Sequence, residues 1–238
     1  AVAAVLGNAC LLSAERCLMK VVVVGGTGLI GSKVVEKLNA HGHEATAAAP
    51  QTGLNTLTNE GVDEAVAGAD VVVDVSNSPS FADDEVMEFF KTSTTNLLAA
   101  VKKAGVNHFV ALSVVGCDRL PDSGYLRAKV AQEKLIAESG IPYCIVRATQ
   151  FFEFGKRIAD AATVDGKVYL PPAFFQPMAA DDVAAAVGRQ AVGEPVNGVI
   201  ETGGPEKVRM SEFVAAGLKR VGDPREVVSD PHAQYFGT

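Results

Sequence analysis

The spacing of apolar and polar positions predicts an alternation of strands and helices from Lys20 onward. Short apolar runs, rich in β-branched or small residues, are typical of strands that are buried on both faces. The first run, Lys20–Val24, contains four consecutive valines and ends in glycines. Five runs of this kind predict the strands of a central sheet: 20–24, 44–49, 70–75, 108–112 and 142–146.

The longer segments between these runs have helical periodicity. Two of them stop at good helix-ending sequences, His41-Gly42 and Ala104-Gly105. The pattern predicts helices over 29–40, 63–67, 83–103 and 125–138, and further helices over 154–162, 182–191 and 211–221 with short strands at 167–170 and 199–202.

Alternating strands and helices of this type predict an α/β fold, a doubly wound parallel sheet of the Rossmann type. The alternation becomes less regular after about Ala148. We therefore expect a Rossmann core over residues 19–148. A smaller C-terminal region, residues 149–238, is expected to cover the carboxyl end of the sheet and to bind substrate.

The first 18 residues differ from the rest of the chain. They are apolar and small, but Asn8, Glu15 and Arg16 interrupt them and no basic start precedes them. This composition favours neither a signal peptide nor a membrane span. Because Met19 directly precedes the first predicted strand, we expect Met19 to be the natural start and residues 1–18 to be an upstream or non-native extension.

A glycine-rich loop follows the four valines and precedes an amphipathic helix, which is the setting of a phosphate-binding turn. Gly25 permits the tight turn, Gly28 lets the backbone approach a pyrophosphate, and Gly31 allows close packing of the helix on the sheet. Amides at the helix start can bind phosphate with help from the helix dipole. The predicted dinucleotide contacts in this loop are Gly25, Thr27, Gly28, Leu29, Ile30 and Gly31.

The loop has the spacing G-x-x-G-x-x-G, and on this spacing the chain resembles the short-chain dehydrogenase/reductase superfamily. More narrowly, residues 21–33, 70–81, 111–129 and 146–154 resemble atypical, NAD(P)H-binding, NmrA-like members. The resemblance extends from Lys20 to the end of the chain. Members usually continue beyond the position of Thr238, so we expect the C-terminal region to be truncated.

The residues after the second strand bear on the choice of cofactor. A carboxylate there would bind the ribose 2′-hydroxyl of NAD and repel a 2′-phosphate. Residues 47–53 contain no acid, and they also lack the arginine of a strong NADP site. We therefore expect NADP(H) in preference to NAD(H), with Gln51 beside the phosphate. Lys33 either supplies charge there or is a solvated surface lysine, and Asn77 is expected to contact the cofactor after the third strand.

Three residues form a candidate catalytic set. Tyr125 and Lys129 stand at i and i+4 and share a helical face, and Ser113 lies just past the fourth predicted strand. In the superfamily that the chain resembles, a Ser…Tyr-x-x-x-Lys arrangement is catalytic. The resemblance implies that Tyr125 is the general acid, that Lys129 lowers its pKa and binds the nicotinamide ribose, and that Ser113 binds the substrate carbonyl. Asn96 is spaced wrongly for the further catalytic asparagine of that superfamily and is better interpreted as a solvent-facing residue.

Charge and composition limit the classes of partner. The net charge is −7 with a pI near 5.1, and no basic run is present, which argues against nucleic acid. The four cysteines and four histidines have no metal-site spacing, so no metal is expected. Scattered thiols suit a reducing, cytoplasmic location. We expect a small-molecule substrate, with Phe151 or Phe152 forming an apolar wall of its pocket. No membrane contact is expected, and a homodimer is left open.

Two functions are compatible with these residues. The first is an NADP(H)-dependent oxidoreductase that acts on a small carbonyl or quinone-like compound. The second is a redox sensor that binds the dinucleotide and reports its oxidation state to a protein partner. Both need the glycine loop, but only the first needs Tyr125 as an acid, so the intact Ser113, Tyr125 and Lys129 set favours the enzyme.

Overall fold

A computed structural model describes residues 18–235 of the chain. The prediction for the first 18 residues therefore lies almost wholly outside the described part. A six-stranded sheet forms the centre of the molecule, and its neighbouring strands are all parallel. Its members are β1 (Lys20–Val24), β2 (Glu44–Ala48), β3 (Val71–Asp74), β4 (His108–Val114), β5 (Tyr143–Ala148) and β9 (Gly198–Thr202).

The strand order is β2-β1-β3-β4-β5-β9, so the winding direction reverses between β1 and β3. A ligand in an open α/β sheet binds outside the carboxyl ends of the strands at such a reversal. The glycine-rich loop follows β1, and the segment with Asn77 follows β3, so both lie at this position. The predicted doubly wound parallel sheet is confirmed.

The continuous valine run of β1 is explained by burial on both faces of the sheet. Val21 and Val23 belong to a core that includes side chains of two helices, whereas Val22 and Val24 belong to the core on the opposite face. The first face is covered by α1 (Leu29–Ala40) and α6 (Ala180–Ala191). The second face is covered by α2 (Val62–Val66), α3 (Asp83–Ala104) and α4 (Gly124–Glu138).

A third apolar cluster forms in the second half of the chain. It contains Leu170, Phe175 and Met210, which are each 3% exposed or less. Its elements are α5 (Gly155–Ala161), β6 (Thr163–Val164), β7 (Lys167–Leu170), β8 (Phe174–Phe175), β10 (Val208–Arg209), α7 (Met210–Arg220) and β11 (Glu226–Ser229). The second half also contributes α6 and β9 to the central sheet and its cover.

Most of the predicted elements begin and end within a few residues of the observed ones. The largest difference with a functional consequence is at the end of β4, where Ser113 pairs with Arg147 and Val114 with Ala148. Ser113 therefore lies inside the strand and not just past it. Four strands of two to four residues, β6, β8, β10 and β11, were not predicted. They are too short to show periodicity, and pairing with partner strands specifies them.

Within residues 18–235, none of the helices combines the length and the apolar character that crossing a bilayer would require.

Candidate functional site

The glycine-rich loop is shaped by close backbone contacts with its neighbours. Gly25 has a φ of +78°, and a Cβ there would lie 2.8 Å from the amide nitrogen of Ser76. A Cβ on Gly31 would lie 2.2 Å from the carbonyl oxygen of Gly25, so only glycine lets α1 pack against the turn. The fold itself therefore requires glycine at both positions.

Gly28 is different, because little in the protein opposes a side chain there. A Cβ on Gly28 would meet only the Gly25 carbonyl oxygen, at 3.3 Å, and the position lines the cavity. Gly28 is also the N-cap of α1, where no side chain caps the helix and no acid stands in the first turn. The amides of this helix start are thus available to an anion, and the loop fits a dinucleotide pyrophosphate.

The segment after β2 forms one wall of the same cavity. Thr27 Oγ1 donates to Gln51 Oε1 at 3.2 Å, which joins the glycine loop to the turn over Pro50–Thr52. Lys33 does not line this wall, since its ammonium forms an ion pair with Asp181 of α6 at 2.9 Å. Of the two interpretations of Lys33 from the sequence, the surface lysine fits, and its ion pair links α1 to α6. Thr27 and Gln51 are uncharged polar groups on this wall of the cavity.

The structure brings Ser113, Tyr125 and Lys129 together along one side of the cavity. Ser113 is 4% exposed, lies near the Cys117 thiol, and its Oγ forms no hydrogen bond of regular geometry within the described residues. A buried hydroxyl left in this condition is costly unless a ligand or water engages it. Ser113 is therefore suited to receive a substrate oxygen.

Tyr125 lies in the first turn of α4, which Ser123 caps by accepting a bond from the amide of Leu126. Its ring packs against Phe81 and Phe90, with centroid distances of 5.3 and 6.1 Å. Burial raises the pKa of Tyr125 to about 12, with a smaller contribution from the Cys117 thiol in the same direction. The phenol is consequently protonated at neutral pH, as a general acid must be.

Lys129 is 3% exposed, which is rare for a lysine. Its Nζ donates to the carbonyl oxygen of Leu112 at 2.9 Å and to the side chain of Gln132, and lies 4.3 Å from the centre of the Phe90 ring. Burial lowers the pKa of Lys129 to about 8, while the charge of Asp74 acts in the opposite direction. These contacts fix the ammonium at the floor of the cavity.

The cavity has a volume of about 640 Å³ and continues from the cofactor loops into an apolar half. Among the described residues that line it, Lys129 is the one charged side chain. Of the two phenylalanines expected as a wall, Phe151 lines the cavity, whereas Phe152 is 52% exposed and stacks on Phe213 outside it. The apolar half is formed by Phe89, Leu120, Tyr125, Leu126, Phe151, Phe154 and Tyr235.

Several residues of the site were missed from the sequence. Asp74 ends an otherwise all-valine strand, and Gln132 stands three residues after Lys129, so each had a signal that could have been used. Tyr235 gave no signal, because it is far along the chain from the other site residues. Asn96 does not face solvent as expected: its amide donates to the carbonyl oxygen of Thr56 at 2.8 Å and so ties α3 to the wall after β2.

The sheet reversal, the glycine loop and the polar set beside it define a Rossmann-type dinucleotide-binding protein. Residues 25–191 match the family model described as NAD(P)H-binding, and the chain belongs to this family. The identification as an atypical member of the short-chain dehydrogenase/reductase type is confirmed, and binding of NAD(P)(H) is confirmed with it. A preference between the two cofactors is not decided by this match.

Comparison with curated proteins gives reductases among the relatives. The chain is 29% identical over 229 residues to NAD(P)H azoreductase from Xenophilus azovorans, covering 88% of this chain and 76% of the relative. It is 28% identical over 229 residues to divinyl chlorophyllide a 8-vinyl-reductase from Arabidopsis thaliana, covering 79% and 54%. It is 26% identical over 149 residues to photosystem II assembly factor Ycf39 from Synechocystis sp., covering 57% and 46%. The chain spans about half the length of the first curated relatives.

Solved structures with the same fold include NAD-bound enzymes. UDP-glucose 4-epimerase from Thermus thermophilus in complex with NAD superposes with a TM-score of 0.71 at 20% identity, covering 91% of this chain and 88% of the other. WbmH from Bordetella bronchiseptica in complex with NAD+ gives a TM-score of 0.71 at 19% identity, covering 91% and 87%. At these identities the likeness concerns the fold alone.

Proposed function

We propose that this protein is an NADP(H)-dependent reductase of a small, uncharged carbonyl or quinone-like compound. The observation that carries the proposal is the position of Ser113, Tyr125 and Lys129 on one wall of the cavity that begins at the glycine loop. The reductase relatives support the reaction class, since one is named an azoreductase and another a vinyl reductase. The substrate class is likewise a proposal, and it concerns the whole protein.

The proposal assigns a role to each polar residue of the set. A dinucleotide held by the glycine loop would supply the hydride for the substrate carbon. The Ser113 hydroxyl donates to the substrate oxygen, and Tyr125 transfers its phenolic proton to that oxygen, so that a carbonyl becomes an alcohol. Lys129 binds the nicotinamide ribose and, by its charge, favours the phenolate that Tyr125 leaves behind.

The lining of the cavity favours an uncharged substrate. Nucleotide sugars carry a diphosphate that needs arginine or lysine partners, and within the described lining Lys129 is the one such residue. Phe151 and Phe154 stack with their ring centroids 5.2 Å apart, which presents flat aromatic surface to a flat substrate. We therefore infer a planar, largely apolar hydride acceptor and not a nucleotide sugar.

The preference for NADP(H) belongs to the same proposal. No carboxylate lines the wall formed by Thr27 and Gln51 in the described structure, so nothing there repels a 2′-phosphate. The substitution Gln51→Glu introduces that repulsion. We expect it to reduce kcat/KM for NADPH about tenfold or more and to leave NADH within a few-fold, so NADH serves as the internal control. Equal losses with both cofactors would contradict the preference.

The central experiment is NADPH oxidation with a panel of aldehydes, ketones and quinones, compared between the wild type and Tyr125→Phe. We expect turnover with planar apolar acceptors, and a loss of about a hundredfold or more in kcat in the variant. Unchanged turnover in Tyr125→Phe would remove the tyrosine from the mechanism. Tight cofactor binding with no turnover on the whole panel would instead favour the redox-sensor alternative, for which the relative named an assembly factor is the one supporting observation.

A further inference from the structure

Lys129 belongs to a group of three buried polar side chains, here called the buried triplet: Lys129 itself and, behind it, Gln132 and Asp74. Each is 3% exposed or less. Gln132 Oε1 accepts from the Lys129 ammonium, and Gln132 Nε2 donates to Asp74 Oδ2 at 3.0 Å. The triplet therefore connects the end of β3 to the face of α4 that borders the cavity.

The orientation of the Gln132 amide is fixed by its two neighbours. Turning the amide over would place its NH₂ group against an ammonium and its oxygen against a carboxylate, and both contacts would be repulsive. Asp74 is itself held by Ser76, whose amide and hydroxyl donate to Oδ1 at 2.9 and 2.6 Å. Asp74 thus accepts three hydrogen bonds, which favour the ionised carboxylate.

Two of the three N–H groups of the Lys129 ammonium are used by Leu112 and Gln132. The carbonyl of Leu112 and the amide of Gln132 are set by β4 and α4, so the direction of the third N–H follows from them. Lys129 lines the cavity, and the third N–H is available to a cofactor hydroxyl there. The position of this donor thus depends on the residues behind it.

We propose that Asp74 and Gln132 are positioning residues that hold the Lys129 ammonium in place and keep it charged for contact with the cofactor ribose. The inference rests on the proposed function only in assigning the ribose contact to Lys129. It adds a role for two residues that touch neither the substrate nor the cofactor, and it gives a reason for the aspartate at the end of a valine-only strand.

Several groups face Lys129 and determine its charge state. Asp74 faces it from β3, Glu133 from α4 and the Cys117 thiol from the turn after β4, while α3 contributes the uncharged ring of Phe90. Burial lowers the pKa of Lys129 to about 8, and the charge of Asp74 is the largest opposing influence. Burial also raises the pKa of Asp74, against which Ser76, Lys129 and Gln132 act. Removing the Asp74 charge must therefore lower the pKa of Lys129 further.

The test measures the Kd of NADPH by calorimetry across a pH range from about 6.5 to about 9, which brackets the loss of the Lys129 proton. In the wild type we expect the Kd to rise several-fold on the alkaline side, because an ammonium is a stronger hydrogen-bond donor than an amine. In Asp74→Asn the same rise is expected to start about one pH unit lower. Asp70→Asn, at the exposed position just before the same strand, is the control and should follow the wild type.

A double variant tests whether Asp74 and Gln132 position the Lys129 ammonium or only support the local structure. In the double variant Asp74→Asn, Gln132→Glu, the new carboxylate at position 132 stands directly against the ammonium and restores a negative charge. In this double variant we expect the Kd of NADPH to begin rising at the wild-type pH or above it. If the two substitutions only damaged the structure, their effects on binding would instead add to each other. Should Asp74→Asn fail to fold, Gln132→Met breaks the triplet in the middle, and the early rise is expected there too.

Three results would overturn the inference: a wild-type Kd that is constant over the range, an Asp74→Asn curve that matches the wild type, or a double variant that is worse than the single one. Because the readout is binding of the cofactor, it stands apart from the proposed function. Absence of turnover on every substrate would defeat the reductase proposal and leave these curves fully interpretable.

Discussion

The two ends of the central sheet contain similar buried polar groups with different consequences. At the amino end of β4, His108 is 5% exposed and its Nε2 has no hydrogen-bond partner in the described structure. At the carboxyl end of the same strand, Ser113 is 4% exposed, and its Oγ lies near the Cys117 thiol but forms no hydrogen bond of regular geometry within the described residues. Only Ser113 opens into the cavity. An unsatisfied buried group thus indicates a ligand site when space adjoins it, and otherwise only a cost to stability.

The contrast extends to the way each end is built. At the amino end, the side chain of Asp70, just before β3, accepts a hydrogen bond from the backbone amide of Lys20 at 2.8 Å. This bond joins the starts of the neighbouring strands β1 and β3. At the carboxyl end, glycines let the turn after β1 pack closely against α1, and the amides at the start of that helix are left open to an anion. The carboxyl end of the sheet borders the cavity, which is where ligands bind in open α/β sheets.

The largest expected effect concerns the loop that keeps the carboxyl end open. In Gly31→Ala the added carbon would lie 2.2 Å from a backbone oxygen, so the turn and α1 must separate. We expect a loss of about 3 kcal/mol or more in the free energy of unfolding, or no folded protein at all. Denaturant unfolding followed by circular dichroism measures this.

The control for Gly31→Ala is Gly28→Ala, because the protein leaves room for a side chain at Gly28. We expect this variant to unfold within about 1 kcal/mol of the wild type and to bind NADPH at least about tenfold more weakly. Equal stability of the two variants would show that the close packing at Gly31 is not what the loop requires. Wild-type affinity in Gly28→Ala would remove Gly28 from the cofactor site.

The features that the sequence predicts well are those that repeat or stand together in it. The valine runs and helical periodicity predicted the parallel sheet, and the glycine spacing predicted the cofactor loop. Ser113, Tyr125 and Lys129 could be grouped because they fall within 17 residues of one another on one strand and the next helix, and their catalytic role stays a prediction. Binding of NAD(P)(H) follows from these local patterns, and the family match confirmed it.

The features that were missed depend on contacts between distant segments. Asp74 acts through Gln132, which is 58 residues away, and Tyr235 reaches the cavity from the end of the described chain. Lys33 was left with two open interpretations because its true partner, Asp181, is 148 residues away. No periodicity records such contacts, since they arise only when the sheet brings the strand ends together. Of the apolar half of the cavity, the sequence therefore indicated Phe151 and Tyr125 but not the residues that come from distant segments.

The next largest effect compares the two serines whose buried hydroxyls lack a regular partner. In Ser113→Ala we expect kcat/KM to fall about a hundredfold, because the substrate oxygen loses a positioned hydrogen-bond donor. The free energy of unfolding should stay within about 1 kcal/mol of the wild type, since no internal bond of regular geometry is broken. Steady-state kinetics and denaturant unfolding measure the two quantities.

Ser93→Ala is the matched control for Ser113→Ala. Ser93 on α3 is 2% exposed, its Oγ also lacks a partner within the described residues, and it does not line the cavity. We expect its activity to equal that of the wild type. A similar loss of activity in both variants would mean that replacing a buried serine disturbs the protein generally, and Ser113 would lose its assigned role.

The smallest effect belongs to His108 at the amino end of β4. Burial lowers the pKa of His108 below its usual value, with Glu194 as a weaker opposing charge. As the pH falls through the usual value of about 6.5, the unfolded chain takes up a proton that the folded protein does not, so stability declines until the lowered folded pKa is passed. We expect His108→Gln to remove this part of the acid-side decline in the unfolding midpoint and to leave NADPH turnover unchanged. His232→Gln, at an exposed position, should retain the wild-type curve. If His108→Gln followed the wild-type pH curve or lost activity, the amino end of β4 would not be the inert counterpart of the carboxyl end.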